Sequence, residues 1–221
     1  VGWTVNRTQR IITGLSIGAL ALALVSIAVG AYTLALPDLL ATLFGGGTPS
    51  DRFIVFKLRL PRVLLAMLVA VGFGLAGALF QSLLRNPLAS PDIIGISGGA
   101  SVAAVLSLLI FGATGLVVSL SALVGALIVA FVIYLLSWRS GMNGMRFVLI
   151  GVGIAFMAQS VIGYLITRGD VRDAQQALVW MVGGLGGASW EDVLIMVVSL
   201  VVLVPAVVLL ASRLRMLQLG D

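Results

Sequence analysis

The chain reads as an all-α, polytopic membrane protein, on three observations. Hydrophobic types make up 61% of its 221 residues and charged types 10%, against about 25% charged in a soluble domain, and the mean hydropathy is +1.21. Six runs hold no Asp, Glu, Lys or Arg: 11–36, 63–84, 93–111, 116–138, 147–167 and 193–212. Each approaches or exceeds the ~20 apolar residues that cross a bilayer. Barrel-type alternation is absent, and backbone in lipid must bond within its own segment, so the runs predict six helices in one transmembrane domain over 1–221.

The first run follows Arg7 and Arg10, as a secretory signal would. A signal core is only about 7–15 residues, so 11–36 predicts a retained span. Pro61 sits just ahead of the second run, where a missing N–H is harmless. The loop after that run carries Asn86-Pro87 and Pro91, which force a compact turn. The third run opens glycine-rich at 93–101, predicting a broken or tightly packed helix. Between the fifth and sixth runs lies the longest loop, 168–192, with a short interfacial helix expected at 174–182 and a sharp re-entry at 183–187. Pro205 inside the sixth run should kink it. All seven Trp and Tyr (Trp3, Tyr32, Tyr134, Trp138, Tyr164, Trp180 and Trp190) fall at predicted ends or in loops, where amphipathic rings settle at headgroups. Gly14 and Gly18, Gly95 and Gly99, and Gly72, Gly74 and Gly77 are spaced for close helix contact.

Charge sets the orientation. With a cytoplasmic N-terminus, Arg7, Arg10, Arg85, Arg139, Arg146, Arg213 and Arg215 lie inside. Arg52, Lys57, Arg59, Arg62, Arg168 and Arg172 lie outside. Four of the outer six crowd into 52–62. Without that segment the basic residues favour the cytoplasmic N-terminus. The segment itself predicts either an acidic partner outside the membrane or lipid-phosphate contact.

Several function classes drop out. There is no Cys and no His, which removes thiolate metal sites and the commonest general base. The eight acids (Asp38, Asp51, Asp92, Asp170, Asp173, Glu191, Asp192 and Asp221) all map to loops or tails. Ion-driven carriers generally need ionisable groups at membrane depth, and intramembrane hydrolysis needs an Asp pair, a metal or a Ser–His pair. The polar groups within the runs are neutral, among them Gln81, Ser82, Ser101, Gln159, Ser160 and Tyr164. They line a path or bond between helices; they supply no energy, so a pump of this composition must be driven from outside, ATP hydrolysis in a separate subunit being the natural engine. The scattered positive charge forms no face for nucleic acid. Two strings are decoys. Gly72-x-Gly74-x-x-Gly77 lies within a span, not at a strand-to-helix turn, and Asn6-Arg7-Thr8 lies on the inner side.

The loops carry a resemblance. Arg59-Leu60-Pro61-Arg62, Gly77-Ala78-Leu79-Phe80-Gln81, Arg85-Asn86-Pro87-Leu88-Ala89-Ser90-Pro91 and Gly95-Ile96-Ser97-Gly98-Gly99-Ala100 match one family. Trp180 to Gly186 with Trp190, and Leu219-Gly220-Asp221, match it too. From about residue 37 onward the chain resembles the permease subunits of ABC importers for iron-siderophore complexes, haem and cobalamin. The resemblance implies a bundle of roughly ten spans, each about 20 residues, so this chain reads as truncated, with the C-terminal part of the fold absent. It implies a permease pair (identical or homologous), cytoplasmic ATPase subunits, an extracytoplasmic solute-binding protein, and residence in a bacterial or archaeal cytoplasmic membrane. It places binding-protein docking at Arg59 and Arg62, and ATPase coupling at Leu219, Gly220 and Asp221. It places a pathway or gate at Asn143, Gly144, Met145, Gln159 and Ser160, and a signature loop at Gln81, Arg85, Asn86 and Pro87. No catalytic, cofactor or metal residue is implied, and no ATPase loop of the Gly-x-x-x-x-Gly-Lys-Ser/Thr kind occurs.

The expected function is the membrane-spanning permease of an ATP-driven importer, for ferric siderophores above haem or cobalamin, working by alternating access. A membrane scaffold or assembly subunit and an ion-coupled secondary carrier are the alternatives.

Overall fold

A computed structural model describes residues 2–84, 86–87, 90–138 and 144–218. In order, the elements are α1 (Gly2–Ala28), α2 (Leu36–Leu43), α3 (Pro49–Arg52), a π-helical turn (Phe53–Arg59), α4 (Leu60–Leu84), α5 (Ile96–Phe111), α6 (Leu116–Ser137), α7 (Gly144–Arg168), α8 (Val171–Val182) and α9 (Trp190–Gln218). Five helices are long and apolar enough to cross a membrane: Asn6–Ala28, Pro49–Leu84, Leu116–Ser137, Met145–Arg168 and Trp190–Leu210. Ile96–Phe111 is a sixth, shorter apolar helix.

The architecture agrees with the all-helical reading, and three boundaries need correction. The first run does not stay helical to residue 36, because α1 ends at Ala28. Gly30 follows, and the guanidinium of Arg59 occupies the space a side chain there would fill. A hydropathy run cannot register a break of this kind, because Val29, Ala31 and Leu34 remain apolar after the helix stops. The stretch between the first two runs is not an open loop: α2, α3 and the π-turn fill it, so Asp38 and Asp51 sit in first turns of helices. Pro61 accordingly lies inside a continuous 36-residue helix, Pro49–Leu84, not ahead of one. The third span starts at Ile96, after a turn ending at Gly95 with φ +77°. A helix does form in the longest loop, beginning three residues earlier than expected at Val171, and α9 runs on through Pro205.

The chain packs into two compact units, residues 1–72 with 185–205, and residues 73–184 with 206–221. In the first unit Ile27, Leu34, Leu39, Val55 and Val63 form the buried cluster. Two capping boxes open its helices. Asp51 N–H donates to Thr48 Oγ1 at 3.2 Å and Thr48 N–H to Asp51 Oδ2 at 3.1 Å. Ser189 and Asp192 repeat the exchange ahead of α9, at 2.9 Å and 3.3 Å. Each box satisfies amides that the first helical turn leaves unpaired.

The second unit is held by small residues. A Cβ on Gly99 would run into Val129 and come within 2.9 Å of Gly125 O, and one on Gly125 would strike the Gly99 carbonyl, so α5 and α6 touch backbone to backbone. Gly95 and Gly151 close α5 onto α7 in the same way, with Gly151 O 2.7 Å from a Cβ at Gly95. Without a hydrophobic drive in lipid, such close van der Waals approach is what joins helices. Ala104, Val105, Leu108, Val118, Ala122, Ile162 and Ala177 form the core, against which Trp180 and Met181 of α8 pack. Of the other spaced glycines, Gly72 in the first unit is also close-packed, a Cβ there falling 3.0 Å from Met196 Cε, while a Cβ at Gly14, Gly18, Gly74 or Gly77 meets nothing within 4 Å.

Candidate functional site

The basic residues of 52–62 ride on one helix. A span needs ~20 residues, and the charge-free part, 63–84, supplies about 33 Å at ~1.5 Å per residue. The remaining stretch, 49–62, adds about 21 Å and carries every charge of the helix. The helix is thus longer than a ~30 Å hydrocarbon core needs, and the charged excess, 49–62, is called the post below. Four cations and one carboxylate, Asp51, give it a net charge of +3. Asp51 is buried, with Oδ2 in its capping box and Oδ1 lacking a partner.

Each arginine of the post grips backbone. Arg52 donates from Nε to Gly46 O at 2.9 Å and from Nη2 to Gly45 O, fixing the turn before α3. Arg59 donates from Nη1 to Ile27 O at 2.7 Å and Ala28 O at 3.0 Å, and from Nη2 to Tyr32 O. It thus caps the carbonyl end of α1, where a cation also meets the negative pole of the helix dipole. Arg62 donates from Nε to Leu185 O at 3.0 Å and from Nη2 to Gly186 O at 2.7 Å, tying the post to the glycine-rich segment ahead of α9. The planar fork of arginine suits paired acceptors of this kind. These bonds leave the charges un-neutralised, because every acceptor is a neutral carbonyl.

Pro61 explains the π-turn beneath them. Leu60 N–H donates five residues back, to Val55 O. The next donor in that register would be the nitrogen of Pro61, which has no hydrogen. The carbonyl it would have served, Phe56 O, instead accepts the Trp190 indole N–H at 2.9 Å. The motif residues Pro61 and Trp190, 129 positions apart in the sequence, are therefore two halves of one repair. Sequence reading placed Trp190 at a membrane interface and missed this bond. It also missed both capping boxes, although Thr48-x-x-Asp51 and Ser189-x-x-Asp192 carry that signature.

The remaining expected site residues do not converge. Gln159 and Ser160 lie exposed on α7, Ser160 bonding back to Phe156 O at 3.0 Å. Met145 is exposed near the start of the same helix, which begins at Gly144. An apolar cavity of about 370 Å³ in the second unit is lined by Gly99, Val102, Gly125, Val129, Ile154 and Ala158, so α7 turns a different face to it. Gln81 and Pro87 are exposed, and Asn86 N–H donates to Gln81 O at 3.2 Å. Arg85, Asn143, Leu219, Gly220 and Asp221 lie outside the described residues. Asp92, exposed, accepts from Ser97 Oγ at 2.6 Å, and Asp170 is exposed at the start of α8. Arg168 stacks 5.6 Å over the Tyr164 ring. Among the described residues no three acids, His or Cys gather to hold a metal. The arrangement offers hydrogen-bonded cations and apolar surface.

A family model described as the FecCD transport family matches residues 18–221. The chain is 35% identical over 192 residues to the ferric enterobactin transport system permease protein FepG of Escherichia coli strain K12, covering 87% of this chain and 58% of that protein. It is 40% identical over 173 residues to the probable siderophore transport system permease protein YfhA of Bacillus subtilis strain 168, covering 75% and 50%. The achromobactin transport system permease protein CbrC of Dickeya dadantii strain 3937 is 35% identical over 229 residues, covering 99% and 66%. A solved structure described as a metal-chelate type ABC transporter in an inward-facing conformation superposes with TM-score 0.82 at 25% identity, over 96% of this chain and 65% of that one. The chain thus spans between half and two thirds of the length of these relatives.

Proposed function

Because the chain belongs to the FecCD transport family, we propose that it is the membrane-spanning permease subunit of an ATP-driven importer of ferric-siderophore complexes. The observation that carries this reading is the absence of any Asp, Glu, Lys, Arg or His from 63–84, 96–111, 116–137, 147–167 and 193–212. A path through such helices conducts no protons by side-chain relay, so translocation draws on ATP hydrolysis in separate cytoplasmic subunits. The siderophore systems named for FepG, YfhA and CbrC support the choice of cargo.

In this reading the protein sits in the cytoplasmic membrane with its N-terminus inside, beside a second permease. The 49–62 post points outward to a solute-binding protein. Of its two motif arginines, Arg62 is exposed and keeps Nη1 for a partner's carboxylate, whereas Arg59 is half-buried with both terminal nitrogens engaged. Leu219, Gly220 and Asp221 lead toward the ATPase contact. Gln81, Arg85, Asn86 and Pro87 are the permease's signature segment, with Gln81 in the last turn of α4. Asn143, Gly144, Met145, Gln159 and Ser160 line the path with neutral groups that pass a large polar chelate. Alternating access follows when ATP binding and hydrolysis repack the paired permeases.

The experiment is uptake of radiolabelled ferric siderophores, from a panel of chemical classes, in cells lacking the gene and in cells complemented with it. Loss and restoration of uptake for one siderophore class is expected. Unchanged uptake of every siderophore in the deletion strain overturns the reading.

A further inference from the structure

Away from their points of contact, the helices of the second unit leave a furrow. α5 touches α6 backbone to backbone at Gly99 and Gly125, and it touches α7 at Gly95 and Gly151. Beside those contacts the apolar cavity of about 370 Å³ opens over α5, with Ile128 of α6 on one wall and Met157 of α7 on the other. A second cavity, of about 490 Å³, shares Ala103 and Leu106 with it and continues between α5 and α6 to Phe111 and Val117. From Gly99 to Phe111 the furrow follows α5 for about 18 Å at ~1.5 Å per residue. That is close to the ~15 Å that one leaflet contributes to a ~30 Å hydrocarbon core. Both volumes fall within the ~300–1,000 Å³ of small-molecule sites.

Among the described residues, the lining offers no free side-chain donor. Its two serines are turned back on their own helices, Ser107 Oγ donating to Ala104 O at 2.8 Å and Ser121 Oγ to Val117 O at 2.6 Å. A chelate or any other polar solute gains nothing there. A further helix is also a poor fit. Helices in lipid join through close approach of small residues, and the rims carry Ile128, Met157 and Phe111, which are 56%, 69% and 78% exposed. Side chains of that size hold another backbone away from the floor at Ala103. A flexible alkyl chain passes between them, and against protein walls it packs more densely than in liquid hydrocarbon. We propose that this furrow is a binding slot for one acyl chain of a phospholipid, in the leaflet at its Phe111 end. The slot requires only that these helices lie in a membrane, whatever the permease carries.

The test places the permease in nanodiscs doped with a phosphatidylethanolamine that bears a diazirine on one acyl chain. After irradiation, adducts are located by peptide mass spectrometry. α1 supplies the level for ordinary surrounding lipid, since Leu15 and Leu22 are exposed along it. Adducts on 99–106 are expected at several times the α1 level. Ile128→Trp and Met157→Trp, which fill the furrow from its two walls, should each bring them down to that level. Leu22→Trp, equally bulky but on α1, should leave the excess in place. Adducts on 99–106 at the α1 level in the unaltered permease mean surrounding lipid only and overturn the proposal. An excess that survives both wall substitutions places the lipid elsewhere and overturns it too. A labelled α1 with 99–106 unlabelled means that protein, such as a second copy, covers the furrow, with the same consequence. Labelling of 99–106 by a diazirine-bearing free fatty acid but not by the phospholipid assigns the slot to another ligand and also overturns it. Uptake enters none of these readouts, so a failure here leaves the importer reading standing.

Discussion

Trp190 and Pro61 form the most readily tested pair in the molecule. The indole N–H serves a carbonyl that proline orphans. The bond is exposed, and a hydrogen bond of this kind contributes about 0.5–1.5 kcal/mol net. Trp190→Phe should therefore lower stability by roughly that amount, read as the unfolding midpoint in detergent. Pro61→Ala restores a backbone N–H at that position, within reach of Phe56 O in the π register. In that background the loss caused by Trp190→Phe should be smaller than in the parent. Equal losses in both backgrounds would show that the indole acts through packing alone. The motif Arg59-Leu60-Pro61-Arg62 was visible in the sequence, but its local work was not. Proline's missing donor can be read from one position, whereas the donor that replaces it comes from a helix more than a hundred residues away.

Helices were legible to the degree that hydropathy governs them. The runs at 116–138, 147–167 and 193–212 coincide closely with α6, α7 and the membrane part of α9, because charge-free backbone in lipid has no alternative to internal bonding. Boundaries failed where something other than hydropathy decides. Arg59 at the carbonyl end of α1 and the turn at Gly95 each end or delay a helix inside an apolar run. Glycine spacing was an ambiguous signal: Gly95 and Gly99 are buried at helix contacts, while Gly14 and Gly18 face open space. Substitutions separate the two cases. Gly125→Leu forces α6 off the Gly99 backbone, and overpacking of this kind costs about 1–3 kcal/mol. Gly14→Ala meets no neighbour and gains helix propensity, up to about 1 kcal/mol. Thermal unfolding of the two variants should move in opposite directions, and a Gly125→Leu variant as stable as the parent contradicts the close packing of α5 on α6.

The chain as a whole is a set of apolar helices whose charges are confined to their ends and to one charged post. That distribution was plain in the sequence, and so was the family, because short loop motifs stand out where the spans are merely apolar. The candidate site was less legible. Arg59 and Arg62 were singled out by resemblance, yet their bonds to the ends of other segments depend on three-dimensional neighbours. The central claim, part of the proposed function, concerns energy: that these membrane helices, which carry no titratable groups, are driven by a partner. The most direct measurement reconstitutes the permease with the ATPase subunits and solute-binding protein proposed for it in liposomes, and follows ferric-siderophore entry under two drives applied separately. Uptake should require ATP inside the ATPase-facing compartment and be indifferent to a protonophore. Uptake that continues without ATP, runs on an imposed proton gradient and stops with the protonophore would contradict the account.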